Sequence, residues 1–395
     1  MPNRGLLLLI VMPDELYRGR EQTLVKHTLL RTYLGGFGHA IGLTYGAVTY
    51  VDCFSGPWRA RSQKYEDTSF AIAIDELRKA RDTVRRMGKD LRIRCLFIEK
   101  NPQAYSQLRG FAEKKEEPGL QIRPLEGRFE DKVGEIVSFV HEQPNSFPFI
   151  FIDPKGWKAV GVNTIAPLLA LNPSEVLINL MTAHLHRFIK RNNERDLFGG
   201  DEYVARIRDL RGLDLHDEIV RLYSEAVKRR GNYRYVCAAL ILRPEIDTPN
   251  YRLVYATRNP LGLEKFKEAE RRAMKDMQAV RPEAKKRSRE ERTLQPYLPG
   301  AYIEDPHFYR NLQHRYLADS RSKVSEALNA RRTVAYDDLW AIALSNPLVF
   351  EANLKTWISD WGDTVRMIGL GPRERVPKRG QNHQIALIGT DSMVK

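Results

Sequence analysis

A doubly wound, mostly parallel, Rossmann-like α/β sheet is predicted by the alternation of short apolar runs with amphipathic stretches through the first 280 residues. Two details sharpen that expectation. The runs "FIFI" and "VLINL" are near-continuously apolar, as strands covered on both faces are. Acidic or small residues then fall where the runs end, in "YVDCFSGPW", "LFIEKN" and "FIFIDPKGW".

The elements follow in order. From Arg20 to about Ile41, Leu24, Leu30, Tyr33 and Leu34 recur at helical spacing, and the helix is expected to fade at Gly35-Gly36. "VTYVDCFS" reads as the first strand. "SFAIAIDELRKARDTVRRM" reads as a helix capped by Asp67, Thr68 or Ser69. "IRCLFIEK", "LQIRPLEG", "FPFIFIDP" and "SEVLINLM" read as strands two to five, with helices after Asn101-Pro102, over "EDKVGEIVSFVHEQ" and near "TIAPLLAL". Residues 184–230 read as a basic helical insertion. "YRYVCAALILRP" and "YRLVYATR" supply two strands to close the sheet.

A helix from about Leu261 to Met277 precedes "RPEAKKRSREERT", which holds six basic and three acidic residues and no apolar face. Residues 281–305 are therefore expected to be an exposed linker or helix extension. Residues 306–395 read as a second unit. Three helices there, the third with Leu354, Trp357, Ile358 and Trp361 on one face, precede two short strands around "GPRERVPKRGQN". That is the winged helix-turn-helix pattern.

Composition narrows the class. The chain has 395 residues, 42% of them hydrophobic, and no apolar run near the roughly 20 residues of a bilayer span. "LLLLIV" at the N-terminus is too short for that, and no small-residue cleavage site follows it. Three widely spaced cysteines fit neither a zinc site nor a disulfide framework, and a reducing cytoplasm is the expected location. The net charge of +14 points to nucleic acid, DNA or RNA, as the polyanionic partner; a generally basic surface is the alternative.

Ligands of doubly wound sheets sit outside the carboxyl ends of the strands. The residues expected there are Asp52, Phe54, Ser55 and Gly56 after strand one, Glu99 after strand two, and Arg128 and Phe129 after strand three. Lys26 on the first helix is grouped with them. Glu99 is placed to accept both hydroxyls of a ribose, while Asp52 has the alternative of capping its own turn. The first loop holds one Gly where G-x-G-x-x-G would hold a pyrophosphate, and no G-x-x-x-x-G-K-[ST] occurs. S-adenosylmethionine, which has no phosphate, remains as the expected cofactor.

"YVDCFSGPW", "DTSFAIAI", "LFIEKN", "FIFIDPKGW", "EVLINLM" and "YATRNPLGLEKFKEA" resemble the three-Cys-motif partner (TcmP) family, from about Thr23 to Met277. "YDDLWAIALSNPLVFEANLKTWI" onward resembles the winged-helix domain often fused to it. The resemblance implies a class I methyltransferase-like fold and a radical-SAM-like partner protein with three cysteines. Trp58 is a departure, since much of that family carries Gly there. "DPKGW" also resembles the [DN]-P-P-[YF] of amino-methylating DNA enzymes and the D-P-F-G of tRNA guanine-N2 dimethyltransferases.

In those motifs a carboxylate accepts hydrogen bonds from an exocyclic amine and favours its reactive, pyramidal form. The expected catalytic set is therefore Asp153 as acceptor, Pro154 fixing the turn, Lys155 near phosphate, and Trp157 stacking on an extruded base. Core packing is the alternative for Trp157, and a pairing with Lys155 is the alternative for Asp153. Arg187 and Lys190 of the insertion, and Arg373, Arg375, Lys378 and Arg379 of the wing, are the expected nucleic-acid contacts; a solvated helix face is the alternative for the first two. Cys53 reads as buried and unreactive, and His184 and His186 as no metal site. The expected function is methyl transfer to nucleic acid. The alternative is a non-catalytic binding protein on the same fold, favoured by Trp58 as the intact Asp153-Pro154 favours catalysis.

Overall fold

The computed structural model describes residues 15–56, 60–62, 64–183, 185, 194–200, 204–207, 209–295 and 307–388. Strands β1 (Ala47–Asp52), β2 (Arg92–Glu99), β3 (Leu120–Glu126), β4 (Phe147–Ile152), β5 (Glu175–Leu180), β6 (Tyr235–Leu242) and β7 (Pro249–Thr257) form one sheet. Its order is β3-β2-β1-β4-β5-β7-β6. The first five strands are parallel, and β7 runs antiparallel between β5 and β6. The chain winds outward through β1, β2 and β3, then crosses to β4 on the other side of β1. The strand order reverses there, which opens a crevice at the carboxyl ends of β1 and β4.

The unbroken apolar strands feed two cores. In β4, Phe149 and Phe151 face one layer while Ile150 and Ile152 face the other, because side chains alternate along a strand. The first layer holds α1 (Glu21–Thr44), α2 (Ser69–Arg86), α3 (Pro102–Lys115) and α9 (Pro260–Thr293). The second holds α4 (Phe129–His141), α5 (Val162–Leu169), the short α6 (Glu194–Phe198) and α7 (Val204–Ile207), and α8 (Gly212–Gly231).

The first helix does not fade at Gly35-Gly36; it continues to Thr44. Gly38 and Gly42 lie on one face of it, where α2 packs closely. A Cβ at Gly42 would sit 2.7 Å from Val84 Cγ2, and one at Gly38 2.9 Å from Ala80 Cβ. The glycines are required by the helix crossing rather than by a chain break. Thr68, of the three candidates, caps α2 by accepting from Ala71 N.

The charged run from Arg281 is helix to Thr293, and its first residue is buried. The Arg281 guanidinium donates to Arg243 O, Ile246 O, Asp247 Oδ1 and Tyr309 Oη. These bonds hold α9 against the β6–β7 hairpin at the sheet's carboxyl edge. Arg287, further on, donates to Glu21 Oε1 in the first turn of α1 at 2.7 Å.

The C-terminal residues form α10 (Phe308–Arg331), α11 (Tyr336–Leu344) and α12 (Glu351–Asp360). An antiparallel sheet β8-β10-β9 joins β8 (Thr333–Ala335), β9 (Val365–Ile368) and β10 (Gln384–Leu387). Two strands were expected; β8, only three residues between two helices, has too little period to be read. This unit packs on the large sheet's α9 side. Trp340 meets Tyr235 edge to face at 5.9 Å, Lys267 donates to Asn346 O, and Glu270 accepts from Leu348 N. No described helix is long and apolar enough to cross a membrane.

Candidate functional site at the carboxyl edge

The side chain of Asp52 is fully buried where β1 ends. Its Oδ1 accepts from Phe54 N at 3.0 Å, so the turn-capping role is real. Its Oδ2 accepts from Ser69 Oγ at 2.5 Å, which ties it to the first turn of α2. Burial pushes its carboxyl up to about 6, against the opposing pull of Ser69 and the Phe54 amide. The nearby carboxylate of Asp153 raises it further and Lys26 lowers it. The turn beyond is fixed by Ser55, whose N–H reaches Ile98 O and whose hydroxyl returns to Asp52 O. Gly56 follows.

Glu99 ends β2, and its Oε1 accepts from Asn101 N at 2.6 Å. One oxygen thus shapes its own turn and the other is uncommitted among the described residues. Gly127 N, after β3, donates to Glu99 O. Arg128 is exposed beside Glu130. Phe129 is core, packed on Phe54 with ring centroids 5.2 Å apart. It is buried and presents no open face for a ring.

Asp153 follows β4 on the same face as Asp52. Lys26 Nζ of α1 donates to its Oδ2, and Asn179 Nδ2 of β5 donates to its Oδ1 at 2.5 Å. The partner of Asp153 is therefore Lys26 together with Asn179, where the sequence offered Lys155. Lys155 lies exposed on the next turn and Pro154 is buried. Trp157 is only 7% exposed and belongs to the second core. The packing alternative replaces the stacking role for it. Cys53 is buried, and burial pushes its thiol well up.

Three buried polar atoms have no hydrogen-bond partner among the described residues: Asn179 Oδ1, on the amide that holds Asp153, Thr182 Oγ1 just past β5, and Gln22 Oε1, one turn before Lys26. Tyr251 Oη donates to Gln22 O, and burial beside Asp153 raises its phenol well above the usual value. An unpaired buried acceptor costs about 1–3 kcal/mol. Asn179 was not singled out from the sequence. Its signal was there, as the one amide inside the apolar run "EVLINL".

Trp58, His184, His186, Arg187 and Lys190 lie outside the described residues. In the C-terminal unit the four basic residues divide. Lys378 pairs with Glu374, and Arg379 pairs with Glu264 at 2.9 Å while lying over the Trp340 ring. Arg373 and Arg375 are exposed, with no ion pair among the described residues. Helix α12 exposes Ala352, Thr356, Ser359 and Asp360, and its Lys355 is held by Glu351.

No family model matches the chain, and no curated protein matches it. Among solved structures, it is similar to the crystal structure of protein LPL1258 from Legionella pneumophila str. Philadelphia 1, described as family-model DUF519. The TM-score is 0.38 at 12% identity, over 66% of this chain and 92% of that one. A likeness at that level carries no weight for fold or function.

Proposed function

We propose that the crevice between β1 and β4 binds S-adenosylmethionine, and that the protein transfers its methyl group to an amine of a nucleic acid. One observation carries the reading. Two carboxylates, Asp52 and Asp153, end adjacent strands at the point where strand order reverses, and the second is held by Lys26 and Asn179. Such a site repels a pyrophosphate and suits a cationic ligand rich in N–H donors. The strand order, with its antiparallel seventh strand, accords with the class I methyltransferase sheet implied by the motifs shared with three-Cys-motif partner proteins.

The residues fit the cofactor in kind. Glu99 keeps one carboxylate oxygen for a ribose hydroxyl, and Asp52 supplies negative charge beneath the loop that the backbone of Ser55 and Gly56 forms. When bound, the cofactor supplies an electrophilic methyl group. The chain's own work is positional. Lys26 and Asn179 hold the Asp153 carboxylate in one orientation, and that carboxylate accepts an N–H of an incoming amine. The winged-helix reading of the C-terminal unit belongs to the same proposal, with Arg373 and Arg375 as its phosphate contacts.

A second reading has its own support. Both Asp153 oxygens already have a donor, which is what a purely structural aspartate would have. A binding protein on a methyltransferase-like fold would look the same here. Calorimetric titration with S-adenosylmethionine, followed by transfer of labelled methyl to RNA and to DNA, separates the two. Micromolar binding, about 8 kcal/mol, with transfer supports the enzyme. Binding without transfer to either polymer supports the second reading. Binding of a nicotinamide dinucleotide or ATP instead overturns the cofactor assignment.

A further inference from the structure

At the amino edge of the large sheet, opposite the crevice, exposed cations from separate parts of the chain come together. β7 is antiparallel to both β5 and β6, so β6 starts where β5 starts, and its first residue, Tyr235, lies at the amino edge. Asp153 follows the Ile152–Ile178 pair at the opposite edge. The rise along the strands and the spacing between them put Tyr235 about 20 Å from Asp153.

Helix α8 ends in Lys228, Arg229 and Arg230. Asn232, left-handed at φ 49°, turns the chain toward β6. Arg258 fixes that turn: its guanidinium donates to Gly231 O and lies 4.2 Å from the centre of the Tyr233 ring. Arg234 stands just beyond the turn, and Arg331 ends α10. Both guanidinium groups approach one carboxylate, Asp338, at 4.0 and 3.8 Å. They are 61% and 60% exposed, and exposed pairs of that length contribute about 0–1 kcal/mol. Asp338 lies in the first turn of α11, where the helix dipole already favours its charge. Asp337 in the same turn accepts from Gly380 N at 3.0 Å, which brings the foot of the β9–β10 connection to this edge. Lys228 and Arg230 are exposed and have no ion pair among the described residues. Helix dipoles account for cations at the ends of α8 and α10, each helix taken alone. They do not account for Arg234, nor for two guanidinium groups meeting at one acid.

We propose that this amino edge is a phosphate-backbone surface, on which Arg230, Arg234 and Arg331 grip a nucleic acid away from the crevice. Its role is anchoring. A polymer held there and reacting at Asp153 spans about 20 Å, or about six base pairs at 3.4 Å each, so the gripped segment and the reacting base are different parts of it. Nucleic acid as the partner is taken from the proposed function, but the test reads binding alone and needs neither cofactor nor methyl transfer.

The test is fluorescence anisotropy of the full chain with labelled DNA and RNA oligonucleotides of about 15 nucleotides, single- and double-stranded, over a range of salt. At least one should bind. Arg234→Ala with Arg331→Ala should weaken it about tenfold or more at low salt and reduce the slope of log K against log salt by about 2, and Arg230→Ala by about 1. Lys114→Ala, exposed on α3 at the far side of the sheet, should change neither. All four residues are exposed, so the variants should melt with the wild type. Failure of every oligonucleotide to bind the wild type overturns the proposal. So does an unchanged slope in the amino-edge variants, a loss of slope in Lys158→Ala after β4 without one in them, or competition by poly-L-glutamate as strong as by nucleic acid. A wild type that binds through this edge and takes no S-adenosylmethionine keeps the surface and removes the methyl-transfer reading.

Discussion

Lys26 and Asp153 form an ion pair between the second turn of α1 and the end of β4, across 127 positions of sequence. Both side chains are mostly buried, at 13% and 16% exposure. Because Asn179 takes the other carboxylate oxygen, the pair has one geometry. Removing either partner strands a charge in a poorly solvated site. Lys26→Met and Asp153→Ala should each lower stability by about 1–3 kcal/mol, and the double variant should lose less than the sum. Denaturant unfolding of the four chains gives the coupling, and strict additivity would mean the pair is not formed.

Under the proposed function, the same carboxylate should separate catalysis from binding. Asp153→Ala should leave S-adenosylmethionine affinity nearly intact and slow methyl transfer about 10²-fold or more, as loss of a positioned acceptor does. Glu99→Ala should do the reverse at the binding step and weaken the cofactor by about 1.5–3 kcal/mol. Glu99 also caps the Asn101 amide, so melting of both chains must accompany the titration. Equal loss of affinity in the two variants would sink the division of roles.

Asp52 carries a pH signature. Its folded carboxyl stands near 6, above the 3.8 of an unperturbed aspartate. Between those values the native state holds a proton that the unfolded chain has lost, so stability falls as pH rises from about 4 to about 6. The two-unit shift corresponds to roughly 3 kcal/mol at most. Glu175, also raised by burial, slopes the same way, so the wild type is to be compared with Asp52→Asn. The variant's stability curve should be flatter in that window. A cationic cofactor favours the carboxylate form, so its affinity should rise through pH 6 in the wild type only.

What was legible in the sequence follows from period and polarity. The strands of the large sheet were readable because short, mostly apolar runs alternate with amphipathic stretches, and β4, six apolar residues that stop at Asp153, fits a buried strand and little else. The continuation of α1 past Gly35-Gly36 was not, since a glycine that breaks a helix and one that admits Val84 look alike in one dimension. Nor was the Lys26–Asp153–Asn179 cluster. It joins one helix to two strands, and no local pattern records which side chains meet. Trp157 shows the opposite failure: an aromatic after a strand end is equally consistent with a stacked base and a filled core.

The α1–α2 crossing gives a prediction free of any functional assumption. Gly42→Ala places a Cβ 2.7 Å from Val84 Cγ2. Alanine improves helix propensity by up to about 1 kcal/mol, but overpacking a tight helix contact costs about 1–3 kcal/mol. The net should be a loss of stability, and Val84→Ala should rescue it in the double variant. Gly110 on α3, where an added Cβ would meet nothing within 4 Å, is the control: Gly110→Ala should be neutral or stabilising.

The last prediction concerns the basic residues of the C-terminal unit, which do not act alike. Arg373 and Arg375 are exposed on the β9–β10 connection with no counter-charge among the described residues. Arg379 is spent on Glu264 of α9 and on the Trp340 face, so it docks the connection onto the rest of the protein. Helix α12 offers no free cation on its exposed face, which leaves little to hold it in a groove of a polyanion. If nucleic acid binds here, the phosphates meet the connection. Arg373→Ala with Arg375→Ala should then weaken binding to RNA or DNA and reduce the slope of log K against log salt by about 2, one for each lost phosphate contact. Arg379→Ala should instead lower Tm with little change in that slope, and Thr356→Ala on α12 should change neither. An unchanged salt slope in the double variant would clear the connection of the role and leave the C-terminal unit as a packing partner of α9.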